Sequence, residues 1–203
     1  MSLIDSLIKD GWLKTPRLIE AFRTIKRADF MTEDTKGLAE LNEAIPIGKG
    51  QTISQPLTVA FMLEQLQPEL GDKILDVGSG SGWTSALLGE IVGPEGMVVA
   101  IESVPELKDF GEKNAAKYNN RGQALFILGD GSKGYEKEAP YDKILCSAAV
   151  QQQIPGAWKE QLKIGGRLVA PVQSSIWLLA KESETDFEET EFPGFAFVPL
   201  IEK

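Results

Sequence analysis

At 203 residues with 42% hydrophobic content, the chain can bury one full core. Its net charge of −9 argues against a nucleic-acid groove or an anionic membrane as partner, since both demand a basic face. The absence of histidine removes His-dependent triads, His–Zn sites and the usual general base together.

The chain opens with two helical stripes, Leu3, Ile4, Leu7 and Ile8, then Leu18, Ile19, Phe22 and Ile25. Gly11-Trp12 and Thr15-Pro16 punctuate them, with Thr15 placed to cap the second helix and Pro16 at its first position. A polar loop over 32–42 closes this predicted helical cap, residues 1–43. Next comes Ala44-Ile45-Pro46-Ile47-Gly48-Lys49-Gly50-Gln51-Thr52-Ile53-Ser54-Gln55-Pro56, which follows neither a helical nor a strand period. It predicts a rigid loop dense in hydrogen-bonding groups, ahead of a helix over 57–66 whose apolar face is Val59, Met62, Leu63 and Leu66. Ser54 either caps that helix or faces a ligand, and loop and helix together make up residues 44–71.

From Lys73 the pattern alternates. Strands are predicted over 74–77, 97–102, 124–128, 143–146 and 167–171, and helices over 84–91, 105–118 and 156–162. Breaks fall at Gly93-Pro94-Glu95-Gly96, at Asn119-Asn120-Arg121-Gly122 and at Gly165-Gly166. Buried strands alternating with helices argue for a parallel sheet covered on both faces, residues 72–171. The remainder, 172–203, holds two strand-like runs, 175–180 and 195–200. An acidic, turn-rich segment over 182–193 joins them, which predicts an antiparallel edge hairpin with a solvated loop. The expected architecture is thus a single α/β domain: a doubly wound, Rossmann-like sheet, mostly parallel, with an N-terminal helical cap and a C-terminal hairpin. Cys146, the one cysteine, sits in an apolar run and reads as a small buried residue of a reducing compartment. No stretch has the length of a membrane span and no signal-peptide core is evident, so a cytoplasmic protein is expected.

The first strand of the alternating region runs into Asp76-Val77-Gly78-Ser79-Gly80-Ser81-Gly82, a strand breaking into glycines at alternate positions just before a helix. Such a turn lets a ligand approach the main chain closely. The Gly-x-Gly-x-Gly spacing differs from the dinucleotide fingerprint, and no Lys-Ser/Thr pair makes it a phosphate loop. Ligands of open α/β sheets bind at the carboxyl ends of the strands. There Glu102 follows the turn by about twenty residues, placed to accept hydrogen bonds from ribose hydroxyls. Asp130, in Gly129-Asp130-Gly131, ends the third strand, where the acid or its backbone can meet an adenine edge. Each acid alone could equally be a helix cap or a solvated strand end. Together they point to an adenosine-bearing cofactor without a pyrophosphate.

Leu75-Asp76-Val77-Gly78-Ser79-Gly80-Ser81-Gly82 resembles motif I of the class I S-adenosylmethionine-dependent methyltransferases. The run from Ile47 to Pro56 is similar to the loop characteristic of protein-L-isoaspartate O-methyltransferases. Further matches are Gly129-Asp130-Gly131, Ala139-Pro140-Tyr141-Asp142, Ser147-Ala148-Ala149, Gln161 through Val169 and Phe197-Val198-Pro199-Leu200. The resemblance implies transfer of methyl from S-adenosylmethionine to the free carboxylate of L-isoaspartyl or D-aspartyl residues, opening repair through a methyl ester and a succinimide. It implies that Ser54 is the active-site serine and that Gln51, Thr52 and Ile53 help wall the cofactor and substrate. Asp76, Gly78, Ser79, Gly80, Gly82, Glu102, Ser103, Asp130 and Gly131 would hold the cofactor, S-adenosyl-L-homocysteine being its product form. The partners so implied are isoaspartyl peptides and proteins, met by a monomer.

Lys49, Gln151-Gln152-Gln153 and Gln173-Ser174-Ser175 depart from the family pattern near the expected substrate entrance. Two other readings stay open: a same-fold carboxyl methyltransferase for one dedicated peptide, and a cofactor-binding module without turnover. A nicotinamide dehydrogenase is disfavoured by the glycine spacing.

Overall fold

Strand β3, Lys73–Val77, shows why the core is two-sided. Its residues alternate, so Ile74 joins one buried cluster while Leu75 and Val77 join the other, on the opposite face of the sheet. In the computed structural model, which describes residues 1–118 and 123–202, the cap holds α1 (Leu3–Lys9) and α2 (Pro16–Thr24). A short hairpin, β1 (Ile45–Gly48) and β2 (Gln51–Ile53), then leads into α3 (Pro56–Leu66). The main body runs β3 (Lys73–Val77), α4 (Trp83–Val92), β4 (Met97–Glu102), α5 (Pro105–Ala115), β5 (Ala124–Leu128), β6 (Tyr141–Cys146), α6 (Gly156–Gln161) and β7 (Leu162–Val172). It closes with β8 (Ser175–Lys181) and β9 (Phe187–Pro193). The predicted break over 119–122 lies outside the described residues.

The seven-stranded sheet is ordered β5-β4-β3-β6-β7-β8-β9. Strands β5, β4, β3, β6 and β7 are parallel, while β8 and β9 are antiparallel additions at one edge. The chain leaves β3 outward through β4 to β5, then returns to β6 on the other side. That reversal opens a crevice beyond the carboxyl ends of β3 and β6. Helices α3 and α4 pack with the cap on one face, and Trp158 of α6 lies in the cluster on the other. Among the described residues no helix is long and apolar enough to cross a membrane.

The C-terminal hairpin forms with different partners from those expected. The acidic run is itself the edge strand: β9 pairs with β8 from Ser175↔Pro193 to Lys181↔Phe187. Its carboxylates are met from the side, Glu191 by the Ser175 hydroxyl and Glu189 by Lys159. Charge on an edge strand is compatible with pairing on one side and discourages further pairing on the other. Pro193 and Gly194, at φ +96°, then end the ladder. Residues 195–200 instead run back over the crevice, where Leu200 N–H donates to Ala149 and Ala149 N–H donates to Val198.

Other local expectations shift too. The 44–56 segment folds as the β1–β2 hairpin, turning at Gly48, Lys49 and Gly50, all at positive φ. Ser54 does not cap α3, because Gln55 holds the cap position and the Asn42 side chain accepts from Leu57 N–H. Thr15 does stand at the cap of α2, but its hydroxyl and N–H both donate to Glu64 of α3, tying cap to core. Cys146 is buried and unpaired, and burial pushes its thiol up to about 12.

Candidate active site

The crevice at the switch point is a cleft of about 680 Å³ including its open mouth, within the usual range for a small-molecule site. Its floor is the glycine turn after β3. Gly78 and Gly80 adopt φ of +75° and +50°, and a Cβ on Gly80 would lie 3.6 Å from Ile47 of the β1–β2 hairpin, which therefore roofs the turn. Four of the turn's five N–H groups are already engaged: Gly78 and Ser79 donate to Ile101 O, Gly80 to Glu102 Oε2, and Gly82 to Ser79 O. The floor is therefore no anion cradle, and a pyrophosphate would find few donors there.

Charge agrees with that chemistry. Among the described residues lining the cleft, Glu102 is the one that carries charge. Its carboxylate, 6% exposed, also accepts from the N–H groups of Ser103 and Val104, so it is held rigidly at the end of β4. An acidic, otherwise neutral cleft suits a cationic or neutral ligand better than a polyphosphate. Two buried polar atoms among the lining residues, Ser79 Oγ and Trp83 Nε1, have no partner among the described residues. Such atoms are costly unless a ligand or water meets them.

Of the residues expected at the site, the structure brings Gln51, Thr52, Ile53, Ser54, Gly78, Ser79, Gly80, Glu102, Ser103 and Gly131 to the cleft wall. Gly131 must also be small, since a Cβ would fall 2.5 Å from Val77 Cγ1. Three others sit elsewhere. Asp76 lies wholly buried beneath the turn, where Ser85 Oγ donates to one of its oxygens at 2.6 Å. Burial raises its carboxyl to about 7; the Ser85 bond opposes the rise and the Glu102 charge adds to it. Gly82 N-caps α4 against α5, where a Cβ would meet Gly111 O at 2.4 Å. The Asp130 carboxylate caps the turn that follows β5, accepting from Ser132 N–H and Oγ and pairing with Lys133.

Part of the wall lies outside the residues expected at the site, although the family resemblance touches Ser147, Ala148 and Val198 to Leu200. Trp83 and Thr84 come from the first turn of α4, Ser147 and Ala148 follow β6, and Val198 to Ile201 arrive from the far end of the chain. The strand-end position of Ser147 could have marked it. Residues 198–201 are placed by long-range packing alone.

A second groove adjoins the cleft, lined by Ala44, Gln55, Thr58 and residues 194–197. Thr52, Ser54, Ser147 and Val198 line both spaces. Among the described residues the groove has no titratable side chain, and three of the four shared residues carry hydroxyls. Phe195 is fixed at its edge by stacking on Phe61, centroids 5.1 Å apart. Lys49 stands away from the groove in an ion pair with Glu106. The glutamines 151–153 line a separate hollow with Ser132 and Leu200.

Residues 1–203 match the family model described as Protein-L-isoaspartate(D-aspartate) O-methyltransferase (PCMT). A Methanopyrus kandleri protein named protein-L-isoaspartate O-methyltransferase is 40% identical, the match covering 98% of this chain and 89% of that protein. Archaeoglobus fulgidus protein-L-isoaspartate O-methyltransferase 2 is 44% identical over 91% of this chain and 84% of its own. A Plasmodium falciparum structure in complex with S-adenosyl-L-homocysteine superposes with a TM-score of 0.88, covering 99% of this chain and 97% of that one. At 20% identity it speaks for the fold alone.

Proposed function

The chain belongs to the protein-L-isoaspartate (D-aspartate) O-methyltransferase family, and from that premise we propose how its cleft and groove perform the reaction. The enzyme transfers a methyl group from S-adenosylmethionine to the free carboxylate of L-isoaspartyl, and of D-aspartyl, residues in damaged proteins. The observation that carries the mechanism is the shared wall: Ser54 belongs at once to the cleft and to the groove beside it.

The cleft fits the cofactor on its own features. A floor with most of its N–H groups satisfied, a single acid at the β4 end and unpartnered Ser79 and Trp83 polar atoms suit an adenosine carrying cationic groups and no phosphate. Glu102 would hold the ribose, Gly78 to Gly80 would allow close approach, and Gly131 would leave room for the base. Bound there, S-adenosylmethionine supplies a sulfonium-activated methyl group, which no side chain of the site can provide.

The remaining work is positional. An α-carboxyl has an ordinary pKa near ~3.5, so the isoaspartyl carboxylate is already an ionised nucleophile at neutral pH. No base is needed, in keeping with a groove free of titratable side chains and a chain without histidine. Ser54, with Thr52 and Ser147 beside it, donates hydroxyl hydrogen bonds that turn one carboxylate oxygen toward the cleft. Val198 to Ile201 cover the junction and exclude water. Holding two reactants aligned in this way can supply roughly 7–11 kcal/mol. The ester carbonyl can expel methanol: the amide nitrogen of the following residue attacks it and gives up its proton, methanol leaves, and the ring closed is a succinimide. Hydrolysis of that ring returns a fraction of residues to the normal linkage.

Mass spectrometry of an isoaspartyl peptide incubated with protein and S-adenosylmethionine tests this reading. A methyl ester should appear first, then a succinimide, then normal aspartyl peptide. A protein that binds S-adenosyl-L-homocysteine yet forms no ester would refute it.

A further inference from the structure

Arg27 opens a short 3-10 turn, Arg27–Phe30, after α2 and is 7% exposed. A buried guanidinium normally meets a carboxylate. Among the described residues none lies within ion-pair distance of this one. It donates instead to backbone carbonyls: Nη1 to Ala39 at 3.2 Å and Leu41 at 3.0 Å, Nη2 to Glu43 at 2.7 Å and Ser54 at 3.1 Å. Its Cζ lies 5.4 Å from the centroid of the ring of Trp83, a residue that lines both the cofactor cleft and a pocket on the cap side. Burial lowers the guanidinium to about 10, the Glu40 charge opposing the fall, so it remains charged at neutral pH.

What the fork holds is specific. Strand β2 ends at Ile53 and α3 begins at Pro56, so Ser54 lies in the gap between the two elements. The 39–43 segment under the same fork carries Asn42, whose side chain caps α3 and whose carbonyl accepts from the Gln55 amide. One side chain therefore ties the cap loop, the Ser54 main chain and a ring of the cofactor wall to one another. A lysine has neither the planar fork nor the stacking face to do the same.

We propose that Arg27 is a positioning residue for methyl transfer: it fixes the Ser54 main chain against Trp83 so that the serine hydroxyl stands between cofactor cleft and acceptor groove. The proposal rests on the assignment of Ser54 to the carboxylate. A double-mutant cycle on the full chain tests it with Arg27→Lys, Ser54→Ala and both together, assayed with an isoaspartyl peptide. Arg27→Lys should lower kcat at least tenfold while changing the Kd for S-adenosyl-L-homocysteine less than threefold. In the Ser54→Ala background the same change should cost less than twofold, because the hydroxyl it positions is gone. Glu64→Ala, which loosens the cap without touching this fork, should keep kcat within twofold.

A kcat for Arg27→Lys within twofold of the parent would overturn the proposal. So would losses that simply multiply with Ser54→Ala, or an Arg27→Lys chain that fails to fold, which would make Arg27 a staple of the fold. An unmodified chain that forms no ester on the peptide would instead defeat the methyltransferase reading itself, so the two failures are distinguishable.

Discussion

Replacing Gly82 with alanine separates packing from ligand contact within the glycine turn. Gly82 caps α4 at φ +82°, and a Cβ there would stand 2.4 Å from Gly111 O and 2.9 Å from Gly111 Cα across the contact with α5. The reverse contact is as close, since a Cβ on Gly111 would fall 2.7 Å from Gly80 O and 3.1 Å from Gly82 N. Left-handed backbone costs an L side chain roughly 1–2 kcal/mol. Prising apart two packed backbones adds roughly 1–3 kcal/mol. The sum is roughly 2–5 kcal/mol, and for a domain of this size each kcal/mol lowers Tm by about 2–4 °C. Calorimetry on Gly82→Ala should therefore show a fall of at least about 4 °C. Gly111→Ala, in helical backbone without the left-handed cost, should fall by less, and the double variant by less than the sum, because one displacement relieves both clashes. A Gly82→Ala protein that melts with the parent but no longer binds S-adenosyl-L-homocysteine would refute this. It would make Gly82 a ligand contact.

Ser54→Ala should lower kcat on an isoaspartyl peptide at least tenfold with the Kd for S-adenosyl-L-homocysteine nearly unchanged, read by steady-state kinetics beside calorimetric titration; equal losses would deny the orienting role. Asp76 predicts a pH dependence. Its carboxyl is raised to about 7 when folded against about 3.9 unfolded, so between these values the native state binds more protons. Its contribution therefore becomes less favourable as pH rises from about 4 to about 7, by roughly 4 kcal/mol at most. Urea unfolding of Asp76→Asn should show a flatter decline across that window, and an unchanged slope would contradict the buried-carboxyl account. Glu64→Ala removes the acceptor of Lys14 N–H, Thr15 N–H and Thr15 Oγ1, and should cost about 2 kcal/mol in thermal or urea unfolding. A stability within error of the parent would mean the cap is held by its apolar stripes alone.

Much of the fold was legible because burial is written into local pattern. The runs at Met97–Glu102 and Ala124–Leu128 are continuous apolar strands of the parallel sheet, and both appear at the predicted bounds. The acidic hairpin was not legible, because Phe187–Pro193 has the composition of a solvated loop and becomes a strand only through the edge that β8 offers. Ser54 shows the same limit at closer range. Its sequence neighbours suggested a helix cap, but Asn42, distant in sequence, supplies that bond and leaves the serine to the cleft. Asp76 and Glu102 look equivalent as strand-end acids and face the same side of the sheet, yet Asp76 pairs with Ala100, two positions short of Glu102, so one lies under the floor and the other reaches the wall. The alternate glycines read as one ligand motif, whereas Gly78 and Gly80 face the cleft and Gly82 faces α5. Residues 198–201 reach the cofactor wall by a path that no local period encodes.

The most direct measurement offers two peptides that differ at one linkage, isoaspartyl against aspartyl, to the protein with methyl-labelled S-adenosylmethionine in a single competition. A groove that turns a free carboxylate toward the cleft through Ser54 predicts base-labile label on the isoaspartyl peptide and none above background on its isomer. Equal labelling of the two, or label on neither while the cofactor binds, would contradict the account.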